Sequence, residues 1–134
     1  MNRSPTVAEI VGQAEHNGLY RLPEGRTVAA AIPVPGRQLT GKAAMLAALA
    51  RALDFPDWFG FNWDALADCL ADLSWHDGGI ALLIDQAGTP EMAAPEDWRV
   101  LLDILAETAH YWQTQGRPFA VLLQGSHAAY PLLA

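Results

Sequence analysis

The sequence predicts an α/β domain: a small three-stranded parallel sheet packed with helices. Three observations predict it. Ile80 to Ile84 and Phe119 to Leu123 are continuous apolar runs, the pattern of strands buried on both faces, as in a parallel sheet. The segments between the strands carry apolar residues at helical spacing. The resulting order from Thr27 to Leu123, β-α-α-β-α-β, gives a parallel sheet with helices laid on it.

Taken in order, Ser4-Pro5-Thr6 can start a short helix, with Val7, Ile10, Val11 and Ala14 at helical spacing and Asn17-Gly18 ending it. Leu19 to Leu22 is a brief extended piece. Thr27 to Ile32 reads as the first strand, stopped by Pro33-Val34-Pro35-Gly36. Thr40 can cap the next helix, whose Leu46, Leu49, Ala50 and Leu53 fall at i, i+3, i+4 and i+7. Pro56 forbids its continuation and pushes Phe55 towards an extended conformation, and Gly60 supplies permissive backbone for the turn that follows. Asn62 is a natural N-cap for a second helix with the apolar stripe Leu66, Cys69, Leu70 and Leu73. Asp77-Gly78-Gly79 is a turn into the strand Ile80 to Ile84. A loop with Gly88, Thr89-Pro90 and Pro95 then leads to the longest helix, roughly Glu96 to Gln115. Its buried stripe is Trp98, Leu101, Leu102, Leu105, Ala109 and Trp112. Glu96 and Asp97 complement the dipole at its start, and Gly116 with Pro118 marks its end.

At 134 residues the chain is long enough for a core that needs no staples. Hydrophobic residues make up 51% and charged residues 17%, which excludes a disordered polymer. Fifteen acidic residues face eight basic ones, for a formal charge of −7. Phosphate backbones repel such a protein and basic partners attract it, so direct nucleic-acid binding is not expected. Cys69 is the only cysteine, so no intrachain disulfide can form. No apolar run approaches a membrane span, and Met1 to Thr6 leads into no signal core. A soluble cytoplasmic protein is the expectation.

Asp64, Asp68 and Asp72 stand at i, i+4 and i+8. At about 100° per residue they span about 80° of the helix circumference, opposite the apolar stripe. No lysine or arginine on that helix neutralises them, and like charges at this spacing cost a few tenths of a kcal/mol per pair. Such a face suits a basic partner. The alternative is a solvated face, with Asp64 favoured near the N-terminus by the dipole. Phe55, Trp58, Phe59, Phe61 and Trp63 crowd the preceding turn, and Trp75 follows the same helix. Aromatics beside charges are the usual make-up of binding hot spots. Phe55, Phe59 and Trp63 are expected as core anchors, Trp58 and Trp75 as contacts.

Catalytic constellations are weak. His16, His76, His110 and His127 share no metal-ligand spacing, and Ser126-His127 has no elbow motif. Cys69 lies on the apolar stripe as an inert thiol. Gly78-Gly79 is a turn and not a phosphate loop. No enzyme, metal or cofactor is expected. An acidic hydrolase using Asp64 and Asp68 ranks below either binding reading.

Between Leu53 and Leu73, Pro56, Trp58-Phe59-Gly60, Asn62, Asp64-Ala65-Leu66 and Asp68-Cys69-Leu70 form a segment that resembles the signature of the barstar family of ribonuclease inhibitors. The resemblance implies a three-stranded parallel sheet flanked by helices over residues 26–125. Residues 1–25 would be an N-terminal extension with a short helix, and residues 126–134 a tail. It also implies inhibition by plugging, in which the helix and the turn before it cover a nuclease active site. By position, Asp68 would enter the basic phosphate-binding site, Asp64 would meet neighbouring basic residues, and Trp58 replaces an interface tyrosine. The family is itself the reference case for electrostatic steering of an acidic inhibitor onto a basic cleft. Ala67 stands where the family has an interface tryptophan, and Tyr111 falls near the place of an acidic interface residue. Asp72 and Trp75 are candidates to compensate. The expected partner-binding residues are therefore Trp58, Asn62, Asp64, Ala67, Asp68, Asp72 and Trp75, and the expected partner is a basic barnase-type ribonuclease. The alternative partner is a different basic protein bound by the same fold.

Overall fold

Strand β4 (Phe119–Leu123) is buried at all five positions, which is why its sequence shows no alternation. Phe119, Val121 and Leu123 enter a large core, whereas Ala120 and Leu122 enter a smaller one on the opposite face. The computed structural model describes residues 5–133. Around β4 it places α1 (Val7–Gly12), β1 (Gly18–Arg21), β2 (Ile32–Pro35), α2 (Lys42–Ala52), α3 (Trp63–Asp72), β3 (Ile80–Asp85), α4 (Gly88–Ala93) and α5 (Pro95–Thr114). The sheet order is β1-β4-β3-β2, and every neighbouring pair is parallel. The α/β class and parallel sheet expected from the apolar runs are therefore present. Helices α2, α3 and α5 cover one face through the large core. Ile10, Leu22 and Leu133, from the two ends of the described chain, cover the other.

The sheet has four strands where three were expected. The extra strand is the brief extended piece near Leu19, whose residues Gly18 to Arg21 pair with Ala120 to Leu123. Asn17 fixes its position. Its Nδ2 donates to the carbonyls of Ala109 (3.1 Å) and Arg117 (2.9 Å), and its Oδ1 accepts from the Phe119 N–H at 2.7 Å.

Other expectations need correction. The strand placed at Thr27 to Ile32 is instead Ile32–Pro35, so Pro33 and Pro35 lie within it. Proline cannot donate to a ladder and is confined to sheet edges, and β2 is an edge strand. Gly36 follows at a contact no side chain could share, since a Cβ there would stand 1.8 Å from the Asp85 carbonyl oxygen. The N-cap of α2 is Gly41, with no side-chain bond, and not Thr40. The first helix stops at Gly12, short of Asn17; Thr6 and Glu9 form its capping box, and Ser4 lies outside the described residues. The loop expected around Pro90 contains α4, where the proline sits in the first turn and forfeits no helical bond. By contrast, α3, β3, α5 and β4 fall where the periodicity puts them.

Candidate functional site

The segment Asp54 to Asn62 leaves α2 and turns into α3, and its aromatics divide into an inner and an outer set. Phe59 is buried; Phe55 and Trp63 are half-buried and pack on the large core, as anchors should. Phe55 meets Phe59 edge-on at 4.9 Å and Trp75 edge-on at 6.1 Å. Trp58 and Phe61 face outward, 65% and 57% exposed. Gly60 does not take the permissive conformation expected of it. The left-handed residue of this turn is Phe61, at φ 50°.

Asn62 caps α3, its Oδ1 accepting the Ala65 N–H at 2.8 Å. Leu66, Cys69 and Leu70 are buried, and this holds Asp64, Asp68 and Asp72 on the solvent side, where all three are exposed. Among the described residues none of the three is in an ion pair. The far end of α3 is tied to α5 and the residues after it. The Trp112 indole donates to the Leu70 carbonyl at 2.8 Å. The Arg117 guanidinium donates to the carbonyls of Leu73 (3.1 Å), His76 (2.9 Å) and Gly78 (2.7 Å) while lying 4.9 Å from the Trp112 ring. A cation at a helix C-terminus also complements the dipole that Asp72 opposes. The acidic face is thus carried by a helix fixed at both ends.

Trp75, expected as a contact, is half-buried, and its indole N–H donates to the Leu53 carbonyl at 2.8 Å. It braces the turn from below. The Cys69 thiol is buried, and its pKa is pushed up by burial and by the charges of Asp72 and Asp68, the opposite of what a nucleophile needs.

Ala67 and Asp68 open onto a groove of about 340 Å³ between α3 and α5. Ala71, Ile104 and Thr108 line it with them, and Glu107 and Tyr111 come from α5. Tyr111 is 42% exposed and stands edge-on to Trp112 at 5.0 Å. The small side chain at position 67 leaves this space, and α5 supplies an aromatic and a second carboxylate to it. Glu107, which lines the groove, and Phe61, which is exposed on the turn, are not among the contacts expected from the sequence. The helical phase of Glu107 relative to Tyr111 could have found the first, while exposure of Phe61 among five crowded aromatics has no sequence signal. Among the described residues no group of three metal-ligating side chains comes together.

An acidic helix face, a capped entry and an aromatic turn on a parallel α/β sheet are the arrangement to set against known families. Residues 29–124, most of the chain, match the family described as Barstar (barnase inhibitor). The chain belongs to the barstar family. The match runs from just before β2 to the end of β4 and takes in the turn, α3 and α5, so the whole candidate site lies in the barstar region. Family membership implies a protein partner such as a ribonuclease. No curated protein matches the chain. No helix among the described residues is long and apolar enough to cross a membrane.

Proposed function

We propose that this protein is an inhibitor of a basic barnase-type ribonuclease, active inside the cell and without catalysis of its own. The observation that carries this reading is the un-neutralised face of Asp64, Asp68 and Asp72 on a helix immobilised at both ends, beside an exposed aromatic turn, in a chain of the barstar family. Asp68 acts as the central carboxylate, occupying the cationic pocket that would hold a phosphate. Asp64 meets the neighbouring cations, Trp58 covers the rim, and Asn62 holds the entry of α3. Inhibition is steric and electrostatic. The acids draw the nuclease in along its own positive field, and the covered cleft no longer admits RNA. A standard interface buries on the order of 1,600 Å² in total.

The groove beside Ala67 favours a second reading, in which the same face binds a different basic protein. With Ala67 on one wall and Tyr111 on the other, the surface differs from the family pattern where an interface tryptophan and an acid would stand. Both readings are tested by mixing the purified protein with a purified barnase-type ribonuclease and following RNA cleavage. Stoichiometric loss of cleavage supports the first. Undiminished cleavage, with salt-sensitive capture of a basic non-nuclease, selects the second.

A further inference from the structure

We infer that Phe61 is itself a contact residue of this surface, its ring presented outward for a basic partner to cover; the inference rests on the partner-binding reading above. Phe61 holds φ 50° while 57% exposed. A bulky residue in the left-handed region is disfavoured by about 1–2 kcal/mol, and only glycine, asparagine or aspartate visits it routinely. Three other non-glycine residues among those described share this region: Asp54, Leu73 and Gln86, the last in a turn where its carbonyl accepts from the Thr89 N–H at 3.1 Å. Asp54 is of a type that tolerates it, and Leu73 is fully buried as the C-cap of α3. Phe61 has neither compensation. Gly60, immediately before it, is free to take the turn and does not.

The ring is placed as well as exposed. It lies 4.7 Å from the ring of Phe59, tilted by 49°, and Phe59 is only 5% exposed. Phe61 is therefore a ring braced against a buried one. Such a ring is ordered before binding and loses little freedom on contact. Trp58 stands three residues earlier, and the exposed carboxylates of Asp57 and Asp64 flank the turn on either side in sequence. Aromatic faces among carboxylates suit an arginine or lysine, which gains from the ring quadrupole and the charge together. With alanine at position 67, Phe61 supplies aromatic contact at the entry of α3.

The competing role is structural. Phe61 precedes the N-cap, where an apolar residue often packs on the fourth helical residue, here Leu66, to fix the helix entry. The two roles separate in the variants Phe61→Gly and Phe61→Asn, both of which accept the left-handed conformation. Thermal midpoints are compared with the parent, and affinity for a purified barnase-type ribonuclease is measured by calorimetry. The contact role predicts midpoints at or above that of the parent with affinity weakened about thirtyfold or more, the threshold of a hot spot. Parent-like affinity in both variants overturns the inference, as does weakening seen only with a lowered midpoint. If the parent itself does not bind, the inhibitor reading falls and this contact with it. If the parent binds and the variants bind equally well, this contact alone falls.

Discussion

Asp68 lies midway along α3, exposed, with Asp64 one turn before it and Asp72 one turn after. In the free protein this placement is unfavourable, since each i,i+4 pair of like charges costs a few tenths of a kcal/mol. In a complex the same carboxylate would be desolvated against cations, and removing one partner of such a pair costs about 3–5 kcal/mol. The two effects have opposite signs, so Asp68→Ala should leave the free protein equally or slightly more stable. Its affinity for the nuclease should fall by about a hundredfold or more, mainly through a faster off-rate. Urea unfolding and surface-binding kinetics on the one variant read both effects. Unchanged binding would remove the plugging model. The acid spacing and the cap at Asn62 were legible in the sequence because helical phase depends only on residue order. The engagement of Trp75 with the Leu53 carbonyl was not, because that hydrogen bond joins residues 22 apart.

Among the elements, α3 owes its orientation to groups outside itself. Arg117 closes three carbonyls after the helix, and Trp112 closes one within it. Hydrogen bonds to a charged donor contribute about 1.5–3 kcal/mol. Arg117→Ala should therefore lower stability by about 2 kcal/mol or more, and raise amide exchange in the last turn of α3 more than in β4. Uniform exchange across both elements would show that the guanidinium does not hold the helix. The strands β3 and β4 and the helices α3 and α5 were readable because long apolar runs and stripes encode them directly. β2 was misplaced because proline normally vetoes a strand, and only the sheet order shows that this strand is at an edge. β1 was legible as an extended piece but not as a sheet member, since its partner β4 lies about a hundred residues away in the chain.

The whole molecule carries a formal charge of −7 and, among its described residues, a set of protons held by burial. The Cys69 thiol and the Tyr20 and Tyr130 hydroxyls are all pushed up, chiefly by burial, with Asp103 adding to the effect on Tyr130. As pH rises through the ordinary thiol range, about 8.5, the unfolded chain releases protons that the folded chain retains. The unfolded state then binds fewer protons, so stability falls with rising pH, and below that range these groups contribute no slope. Urea midpoints measured from neutral to strongly alkaline pH should decline, and Cys69→Ala should flatten the first part of the decline. An unchanged slope in that variant would mean that the thiol is not protected by the fold.

The same net charge would draw in a basic partner. In the inhibitor proposed above, an acidic, pre-organised face plugs a basic nuclease. Titration calorimetry against a purified barnase-type ribonuclease, at low and at high salt, tests that claim most directly. One-to-one binding that weakens with salt, as screening shortens the reach of the acids, is expected together with loss of RNA cleavage in the same mixture. No heat of binding at micromolar concentration with cleavage undiminished would contradict it.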